Sequence, residues 1–528
     1  MEHSLMQRVD VPVSPVLASK DDLAKEREAA WRDLVEEFLP VVPRESGWRY
    51  RRVDRADYPS QGWKLHVSAT VPTAIEVFRR CAPVLAERGV YFKSVKSLRI
   101  LARLNSAIPF GFSQIGKFIT VYPRGPEQAV ELAALLHDLT KDFEAPAVPF
   151  DECYMPGSSV HYRYGAFSAQ EMELEDGSMV GAIRDPQGVL VPDLREPGKA
   201  APDWARNPFP GDRRAVTLGT KLQTDYLCYE AMMQRGKGGV YRAVDIKCAP
   251  ARLCVVKEGR RHGETDWTGS DGRTLVEREE MVLRHLEGSD CASPAVLDSF
   301  VIDRHRYLVI EHIKGAPLLQ ACSDPTRKLP LDVALAYAAG TASLVAALHS
   351  AGWVWRDLKP ANILVEETGR LRPVDFEGAI RSTATTQIPW GTPSYMPPEI
   401  HEGPVTGSHV PEDLFGLGAT IHQLLTSWLM HRDEPADLTP ERVVTRPPVG
   451  TLRKGVPLHV RDLVLRLMDA DPLKRPEAAE AHAVLSDYER VTLPVPTLPK
   501  RESAIVRRVR EKLWKEAQDM ILREPELA

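Results

Sequence analysis

The chain has 528 residues with an apolar fraction of 43%, which is enough for about two to four domains with their own cores. Its formal net charge of −5 excludes a general electrostatic attraction to nucleic acid. The seven cysteines form no C-x-x-C pair, which disfavours a zinc site or a disulfide framework and fits a reducing cytoplasm. The first predicted element is a charged helix over residues 20–38, whose apolar side includes Leu23, Leu34 and Phe38.

Basic residues occur on several predicted strands in the first half. Lys64 and His66 lie on a strand over 63–69, and residues two apart on a strand point the same way. Taken alone, such a pair is more often a solvated face than a site. Further cations follow on apolar segments: Lys93, Lys117 and Arg163. Converging cations suit a phosphorylated ligand, and arginine offers two parallel hydrogen bonds to phosphate.

Proline, glycine and aspartate dominate the next segment, which predicts a linker over about 184–214. We therefore expect one domain over 1–214 and a second over 215–490. Residues 491–528 then form a Pro-rich break and a helix over 502–522. No internal repeat or low-complexity tract is present.

The second half opens with a glycine-rich turn and two charged residues on successive predicted elements. Gly236, Gly238 and Gly239 allow backbone N–H groups to approach phosphate, although an ordinary hairpin turn has the same composition. Lys257 ends a predicted strand, and Glu279 lies on the following helix. Their order favours an ion pair that positions Lys257 on a nucleotide, rather than a surface lysine.

A second group of motifs follows in the order of a phosphotransferase. The segment 307–313 resembles the hinge between the two lobes of protein kinases, and this resemblance implies that Ile310 borders the pocket while Glu311 and Ile313 offer backbone groups to a purine. The types of four later residues match their expected tasks: Asp357 as proton acceptor, Lys359 on the transferring phosphoryl group, and Asn362 and Asp375 as oxygen ligands of Mg²⁺.

This half resembles the protein kinase superfamily over nearly its whole length. Arg475 is expected to pair with Glu399 as a structural contact. Two departures stand out. Trp355 replaces the family's usual histidine, and we expect it to keep the apolar packing but not the hydrogen bond. Glu377 replaces a glycine after Asp-Phe and should restrict flipping of this backbone segment.

A more specific resemblance comes from the whole set of motifs, which is similar to class III and IV lanthipeptide synthetases over residues 48–490. The motifs are Trp-Lys-x-His-Val-Ser-Ala (63–69), Phe-Lys (92–93), Gly-Lys-Phe (116–118), Tyr-Arg-Tyr-Gly (162–165), the segment 202–209 and Asp-Phe-Glu (375–377). In that family the N-terminal domain is a phosphoserine/phosphothreonine lyase similar to bacterial effector phosphothreonine lyases.

The resemblance implies a role for each basic residue of the first half. Lys93 matches the general base that removes the Cα proton, and His66 matches the general acid that protonates the leaving phosphate. The phosphate-binding cations are Lys64, Lys117 and Arg163, and the expected pocket-lining residues are Tyr122 and Tyr162. The family usually carries a third, cyclase domain, which we do not expect in this chain.

We therefore predict an α+β protein: a phosphothreonine-lyase-like α+β domain followed by a bilobal kinase-like domain. The predicted activity is dehydration of Ser/Thr in a ribosomal precursor peptide by phosphorylation and elimination, with ATP or another NTP and Mg²⁺. The expected partners are a precursor peptide, with a leader and a Ser/Thr/Cys core, and a separate cyclase. A nucleic-acid partner is not expected because the net charge is −5. A membrane span is not expected because no signal peptide or long apolar run is found.

Two rival functions stay open at this point. The first is a Ser/Thr signalling kinase whose N-terminal domain only binds phosphopeptides. The second is a scaffold that presents a peptide to a separate cyclase while its own chemistry is weak. The retained Lys257, Asp357 and Asp375 argue against the scaffold, and the combination of Lys93 with His66 argues against simple binding.

Overall fold

A computed structural model describes most of the chain between residues 22 and 496. The described ranges are 22–43, 47–54, 56, 58–108, 110–168, 170–174, 177–193, 200–209, 220–324, 326–384, 389–402, 408–428, 446–490 and 492–496. The helix predicted over 502–522 lies outside these residues, so it stays a prediction.

The first half is built on a six-stranded antiparallel sheet in the order β1-β3-β4-β2-β6-β5. Its strands are β1 (Trp48–Tyr50), β2 (Gln61–Val67), β3 (Tyr91–Val95), β4 (Ile119–Tyr122), β5 (Glu152–Cys153) and β6 (Val160–Ala166). Its helices are α1 (Asp22–Phe38), α2 (Ala74–Glu87), α3 (Leu98–Ser106) and α4 (Pro126–Thr140).

Alternation along β2 separates the core from the functional face of this sheet. Leu65 and Val67 are fully buried in the main apolar core of the first half. The same core contains Trp31 of α1 and Phe78 of α2, whose rings meet edge to face. Because neighbouring strand residues point to opposite faces, Lys64 and His66 are turned away from this core.

The predicted linker is partly folded. A small sheet is formed by β7 (Glu171–Glu173), β8 (Met179–Arg184) and β9 (Leu190–Pro192). Phe209 is buried and stacks on Tyr162, with 3.8 Å between ring centroids. The interpretation of the region from residue 184 as loop is therefore wrong for the hairpin of β8 and β9, because strand pairing satisfies its backbone.

The second half has an upper lobe built on a five-stranded antiparallel sheet and a mainly helical lower lobe. The upper strands are β10 (Tyr226–Arg235), β11 (Gly238–Asp245), β12 (Arg252–Gly259), β13 (Val296–Ile302) and β14 (His305–Glu311), with helices α5 (Lys221–Thr224) and α6 (Gly272–Leu286). The lower lobe has α7 (Leu319–Cys322), α8 (Leu331–Ser350), α9 (Glu399–Glu402), α10 (Val410–Thr426), α11 (Val449–Leu452), α12 (Leu458–Leu467) and α13 (Ala478–Leu485).

Short strands of the lower lobe hold the loops between its helices. They are β15 (Gly315–Pro317), β16 (Trp353–Val354), β17 (Ile363–Glu366), β18 (Leu371–Pro373) and β19 (Ile380–Arg381). Strands β15, β17 and β18 form one sheet, and β16 pairs with β19. These two pairings bracket the loops that carry the predicted catalytic and metal-binding residues.

Helix α8 is the central apolar helix of the lower lobe. By length and composition it would suffice to cross a membrane, contrary to the expectation that no apolar run is that long. However, 61% of its apolar window is buried inside the protein, against α10 and α13 among others. We therefore interpret its apolarity as that of a core helix.

Candidate functional sites

Four polar residues form a row across the sheet of the first half. Lys93 on β3 is paired with Thr120 on β4, Thr120 with His66 on β2, and His66 with His161 on β6. Residues paired across neighbouring strands share a face, so all four lie on the same side. Lys93 and His66 are two strand spacings apart, or about 10 Å between backbones, which leaves room for a substrate between their side chains.

Lys93 lies against aromatic rings. Its Nζ is 4.1 Å from the ring centroid of Trp48 and 5.8 Å from that of Tyr50. Burial removes water from the amine and lowers the pKa of Lys93 from its ordinary value to about 8. A lysine with this pKa holds a substantial neutral fraction near neutral pH, as a general base requires.

His66 has a buried carboxylate partner that the sequence analysis missed. Its Nδ1 is 2.5 Å from Oδ2 of Asp151, and both side chains are almost fully enclosed. Burial lowers the pKa of His66 to about 3, although Asp151 acts in the opposite direction. Asp151 orients the ring so that Nε2 is left for chemistry. No spacing pattern marks Asp151, which lies 85 residues after His66 in a loop.

The predicted phosphate-binding cations lie next to this row. Lys64 is paired with Arg163 across β2 and β6. Burial, followed by the charge of Arg163, lowers the pKa of Lys64 to about 7, and Lys117 contributes in the same direction. The charges of Lys64 and Lys117 also disfavour protonation of His66. The three cations therefore act on one another, and their mutual repulsion would be relieved by an anion.

Asp193 is a second carboxylate that sequence reasoning missed. It follows β9 and accepts hydrogen bonds from Arg163, at 2.6 Å to Nη2 and 3.4 Å to Nη1. Gly165 lies beside this contact, and a Cβ there would come within 3.2 Å of both side chains. Asp193, at the end of the hairpin of β8 and β9, thus holds Arg163 in place.

The two tyrosines predicted to line the pocket lie on opposite faces of the sheet. Tyr122 pairs with Tyr91, two residues along the strands from Thr120 and Lys93, and so shares their face. Tyr162 instead packs in the core against Trp63 and Phe209 and donates to Glu152. The expectation for Tyr162 is wrong, because it neighbours Arg163 by one residue and a strand turns such neighbours to opposite sides.

The nucleotide cleft of the second half is organised around Lys257. Its Nζ lies 2.7 Å from both oxygens of Glu279 and 3.1 Å from Oδ1 of Asp375. Burial opposes the charge, but Glu279 and Asp375 outweigh it and raise the pKa of Lys257. Glu279 also accepts from the backbone N–H of Phe376 at 3.2 Å. The predicted ion pair is therefore formed, and it ties α6 to the loop after β18.

Around Asp357, the catalytic loop forms a closed polar network. Lys359 Nζ donates to Asp357 Oδ2 at 2.8 Å and to the Thr392 hydroxyl at 2.7 Å, and that hydroxyl donates to Asp357 Oδ1 at 2.8 Å. The Asn362 amide donates to the Asp357 carbonyl at 2.9 Å and to its carboxylate at 3.0 Å. Burial raises the pKa of Asp357. Thr392 is therefore a further residue of this site.

The same network fits a magnesium ion by the chemistry of its donors. Since the amide nitrogen of Asn362 is used toward Asp357, its carbonyl oxygen is left for another partner. Asp375, with a backbone φ of +69°, presents a carboxylate whose pKa is held well below its usual range by Lys257. Two hard oxygen donors on adjacent loops are what Mg²⁺ with a nucleotide takes from protein.

Trp355 keeps the hydrogen bond that we expected it to lose. Its Nε1 donates to the carbonyl of Asp375 at 3.1 Å, while its ring stacks on Phe376 with centroids 5.5 Å apart. That expectation is wrong, because the indole N–H reaches the same acceptor that an imidazole N–H can reach. Buried Asp413 accepts from the backbone N–H groups of Trp355 and Arg356, both at 2.7 Å, and so fixes the start of the loop.

The structural ion pair between Arg475 and Glu399 is confirmed, whereas the purine contacts expected of the hinge stay a prediction. Ile310 is buried at the end of β14, and the N–H of Glu311 donates to the carbonyl of Ala295. Ile313 lies beyond the strand ladder. Arg475 contacts both carboxylate oxygens of Glu399, at 2.5 and 2.8 Å.

The glycine-rich turn contacts both the upper sheet and the first half of the chain. Gly238 has a φ of +147°, and a Cβ there would lie 1.7 Å from the carbonyl of Glu258. A Cβ on Gly236 would lie 1.5 Å from the carbonyl of Asn105 at the end of α3. The Asn105 side chain in turn bonds the Gly116 N–H, next to Lys117. Asn105 therefore contacts the segments of both halves that are predicted to bind phosphate.

A cluster of charges and one tryptophan complete the joint between the halves. Glu144 of the first half contacts Arg261 Nη2 at 2.5 Å, His262 Nε2 at 2.8 Å, and Arg304. Trp267, from the segment between β12 and α6, is 5% exposed and belongs to the core of the first half. The two sites are therefore held on one packed body.

Comparison with known proteins agrees with the two halves. Residues 32–218 match the family "RamC, N-terminal domain", and residues 229–485 match the protein kinase domain. A "Probable SapB synthase" of Streptomyces coelicolor is 33% identical over 376 residues, which is 68% of this chain and 40% of that protein.

Two further relatives match mainly the second half. A probable serine/threonine-protein kinase of Clostridium perfringens, CPE1738, is 28% identical over 50% of this chain and 38% of its own length. The serine/threonine-protein kinase PknL of Mycobacterium tuberculosis is 27% identical over 51% of this chain and 66% of its own. The chain thus spans about two fifths of the first two relatives. It joins a RamC N-terminal domain to a protein kinase domain, which confirms the resemblance drawn from its sequence.

Proposed function

We propose that this chain is a bifunctional dehydratase of a ribosomally made precursor peptide. The kinase domain phosphorylates Ser or Thr, and the N-terminal domain eliminates the phosphate to give dehydroalanine or dehydrobutyrine. The observation that carries the proposal is the row in which Lys93, a base candidate, and His66, an acid candidate, flank Thr120 beside three phosphate-binding cations. A domain that merely binds phosphate needs the cations but no acid and base.

In the phosphorylation step, the chain's residues orient the reactants and move one proton. Asp357 accepts the proton of the Ser or Thr hydroxyl, and its raised pKa suits it to hold that proton. Lys359 and Lys257 place positive charge at the transferring phosphoryl group. Mg²⁺, held by Asn362 and Asp375, neutralises phosphate charge when bound. ATP or another NTP is the phosphoryl donor in this proposal.

In the elimination step, Lys93 Nζ takes the Cα proton and the electron pair forms the Cα–Cβ double bond. The Cβ–O bond breaks, and the phosphate leaves with a proton from His66. The His66 pKa of about 3 applies to a site without an anion. A bound phosphate dianion beside the ring favours its protonated form, so we infer that the acid gains its proton together with the substrate. Lys64, Lys117 and Arg163 stabilise the charge on the departing phosphate.

We propose a division into domains at 1–214 and 215–490, with the hairpin of β8 and β9 belonging to the first. The family matches over 32–218 and 229–485 support it, as does the packing of Phe209 on Tyr162. The proposed partner is a precursor peptide with a leader and a Ser/Thr/Cys core, and a separate cyclase is a proposed second partner. The proposed location is the cytoplasm, in keeping with seven cysteines that form no disulfide.

The test uses the full chain with a library of Ser- and Thr-containing peptides, ATP and Mg²⁺, read by mass spectrometry. Wild-type protein should yield phosphorylated and dehydrated peptides. Asp357→Asn should yield neither, yet should still eliminate phosphate from a matching phosphoserine library, because its elimination site is intact. Stable phosphopeptides that wild-type protein never dehydrates, in either library, would overturn the lyase assignment and favour a signalling kinase with a phosphopeptide-binding domain.

A further inference from the structure

Two unusual residues of the kinase domain meet across the mouth of the nucleotide cleft. Lys237 lies in the turn between β10 and β11, among the glycines, and Glu377 follows Asp375 and Phe376 in the lower lobe. Their side chains form an ion pair, and only 15% and 10% of these side chains are exposed. Glu377, which replaces the family's usual glycine, thus contacts Lys237 of the glycine-rich turn.

The backbone at each end of this pair contacts the upper lobe. The carbonyl of Lys237 accepts from the N–H of Arg260 at 2.8 Å, and a Cβ on Gly272 would lie 1.8 Å from that carbonyl. The carbonyl of Glu377 accepts from Arg278 Nη1 at 3.4 Å. Since Arg278 belongs to α6 of the upper lobe, its hydrogen bond to Glu377 is a second polar contact that joins the two lobes beside the ion pair.

The pair also lies at the phosphate end of the cleft. Glu377 is two residues from the metal-ligand candidate Asp375, which contacts Lys257 at 3.1 Å. On the other side, Lys237 adjoins Gly238, where the turn lies against the carbonyl of Glu258. The ion pair therefore joins the two lobes beside the residues that are predicted to contact the nucleotide phosphates and the metal.

We propose that Lys237 and Glu377 form a clasp that closes the glycine-rich turn over the nucleotide phosphates and controls how fast a nucleotide dissociates. Both are positioning residues, since they act through the position of the turn. The inference rests on the proposed kinase activity and assigns to that site a device for retaining its nucleotide. A partly buried ion pair suits this task, because removing one partner leaves the other charge poorly solvated and drives the lobes apart.

The test measures dissociation of a fluorescent ADP analogue with Mg²⁺ from the full chain by stopped flow. Lys237→Glu and Glu377→Lys each place like charges opposite one another and should speed dissociation by about tenfold or more. The double variant, Lys237→Glu with Glu377→Lys, restores opposite charges and should return the rate to within about threefold of wild type. Arg466→Glu, at an exposed ion pair with Glu480, changes the net charge as Lys237→Glu does and should have no effect.

Steady-state and single-turnover phosphorylation separate the clasp from a role in chemistry. The single variants should raise the KM for nucleotide while single-turnover phosphoryl transfer at saturating nucleotide stays within about twofold. Elimination from a phosphopeptide by the same variants reports that they are folded. Wild-type dissociation in the single variants, or no recovery in the double variant, would overturn the clasp. Failure of wild-type protein to bind Mg²⁺–ADP would instead count against the kinase assignment.

Discussion

The two sites of this protein use lysine in opposite ways. In the N-terminal site, Lys64 and Lys93 are surrounded by other cations or aromatic rings, and burial lowers their pKa values to about 7 and about 8. In the kinase cleft, Lys257 lies between two carboxylates that raise its pKa. The same side chain is thus poised to lose its proton in one site and held charged in the other.

This difference follows from how each site balances its charges. In the kinase cleft, the carboxylates of Glu279 and Asp375 neutralise the charge of Lys257. The N-terminal site concentrates cations, and its carboxylates, Asp151 and Asp193, are engaged by His66 and Arg163. Burial and neighbouring cations outweigh the effect of Asp193 on Lys64, and such a balance favours both binding of an anion and loss of a proton from the lysine.

The largest effect is expected from a substitution of Lys93, which would abolish the difference between the lysines of the two sites. Lys93→Ala removes the proposed base and leaves the phosphate-binding cations, so elimination should fall by about 10²- to 10⁴-fold. Phosphopeptide should then accumulate when nucleotide and Mg²⁺ are present, as seen by mass spectrometry. Lys96→Ala, at an exposed lysine three residues away, is the matched control. Dehydration by Lys93→Ala at the wild-type rate would show that Lys93 is not the general base.

Asp151 tests whether the acid needs its buried partner. Asp151→Asn should lower kcat for elimination by about a hundredfold, because the ring of His66 loses both its orientation and the charge that favours its protonated form. The KM for a phosphopeptide should change little, since Lys64, Lys117 and Arg163 remain. Phosphorylation by the same variant serves as the control for folding. An equal loss in both activities would indicate a structural role for Asp151 instead.

The pH dependence of elimination tests the two lysine pKa values. Below about pH 8, Lys93 is mostly protonated and cannot act as a base, whereas above about pH 7, Lys64 loses the charge that binds phosphate. A plot of kcat/KM against pH should therefore be bell-shaped. Its maximum should lie between these two pKa values, and kcat/KM should fall about tenfold per pH unit on either side. Lys64→Arg keeps its charge and should weaken the alkaline fall, leaving the part that comes from deprotonation of His66. An unchanged alkaline limb in that variant would exclude Lys64 as its source.

The smallest expected effect concerns the joint that couples the two sites. Glu144→Gln weakens contacts with Arg261, His262 and Arg304, but Glu144 is 40% exposed, so the loss of stability should be about 1 kcal/mol or less. Both activities should stay within about twofold, while thermal unfolding shifts slightly downward. Glu76→Gln, at an exposed pair within the first half, is the control. A large loss in either activity would show that the sites are not independent.

Local motifs were enough to identify much of both sites. Lys257 with Glu279, and Asp357 with Lys359 and Asn362, could be found from their order because each motif lies on a short segment of known geometry. The period of two along a strand put Lys64 and His66 on one face. The same period, applied to Tyr162 and Arg163, would have placed Tyr162 in the core, as the structure does.

The remaining errors concern contacts between segments, some of them local, as in the hairpin of β8 and β9, and some of them distant. The hydrogen bond from Trp355 to Asp375 depends on how two loops are stacked, and the folding of the Pro-rich segment depends on strand pairing. Thr392 joins the Asp357 network from 35 residues away. Residue types and local spacing carry no information about such distances.

The sequence alone therefore determined the fold class and the order of the two domains, and it predicted the residue types for phosphoryl transfer and elimination. It could do so because these chemistries require particular side chains at short spacings on single strands and loops. Only the tertiary structure decided which charges meet: His66 with Asp151, Arg163 with Asp193, and Lys237 with Glu377. Those pairings join segments 30 to 140 residues apart, and they set the protonation and the closure of the two sites.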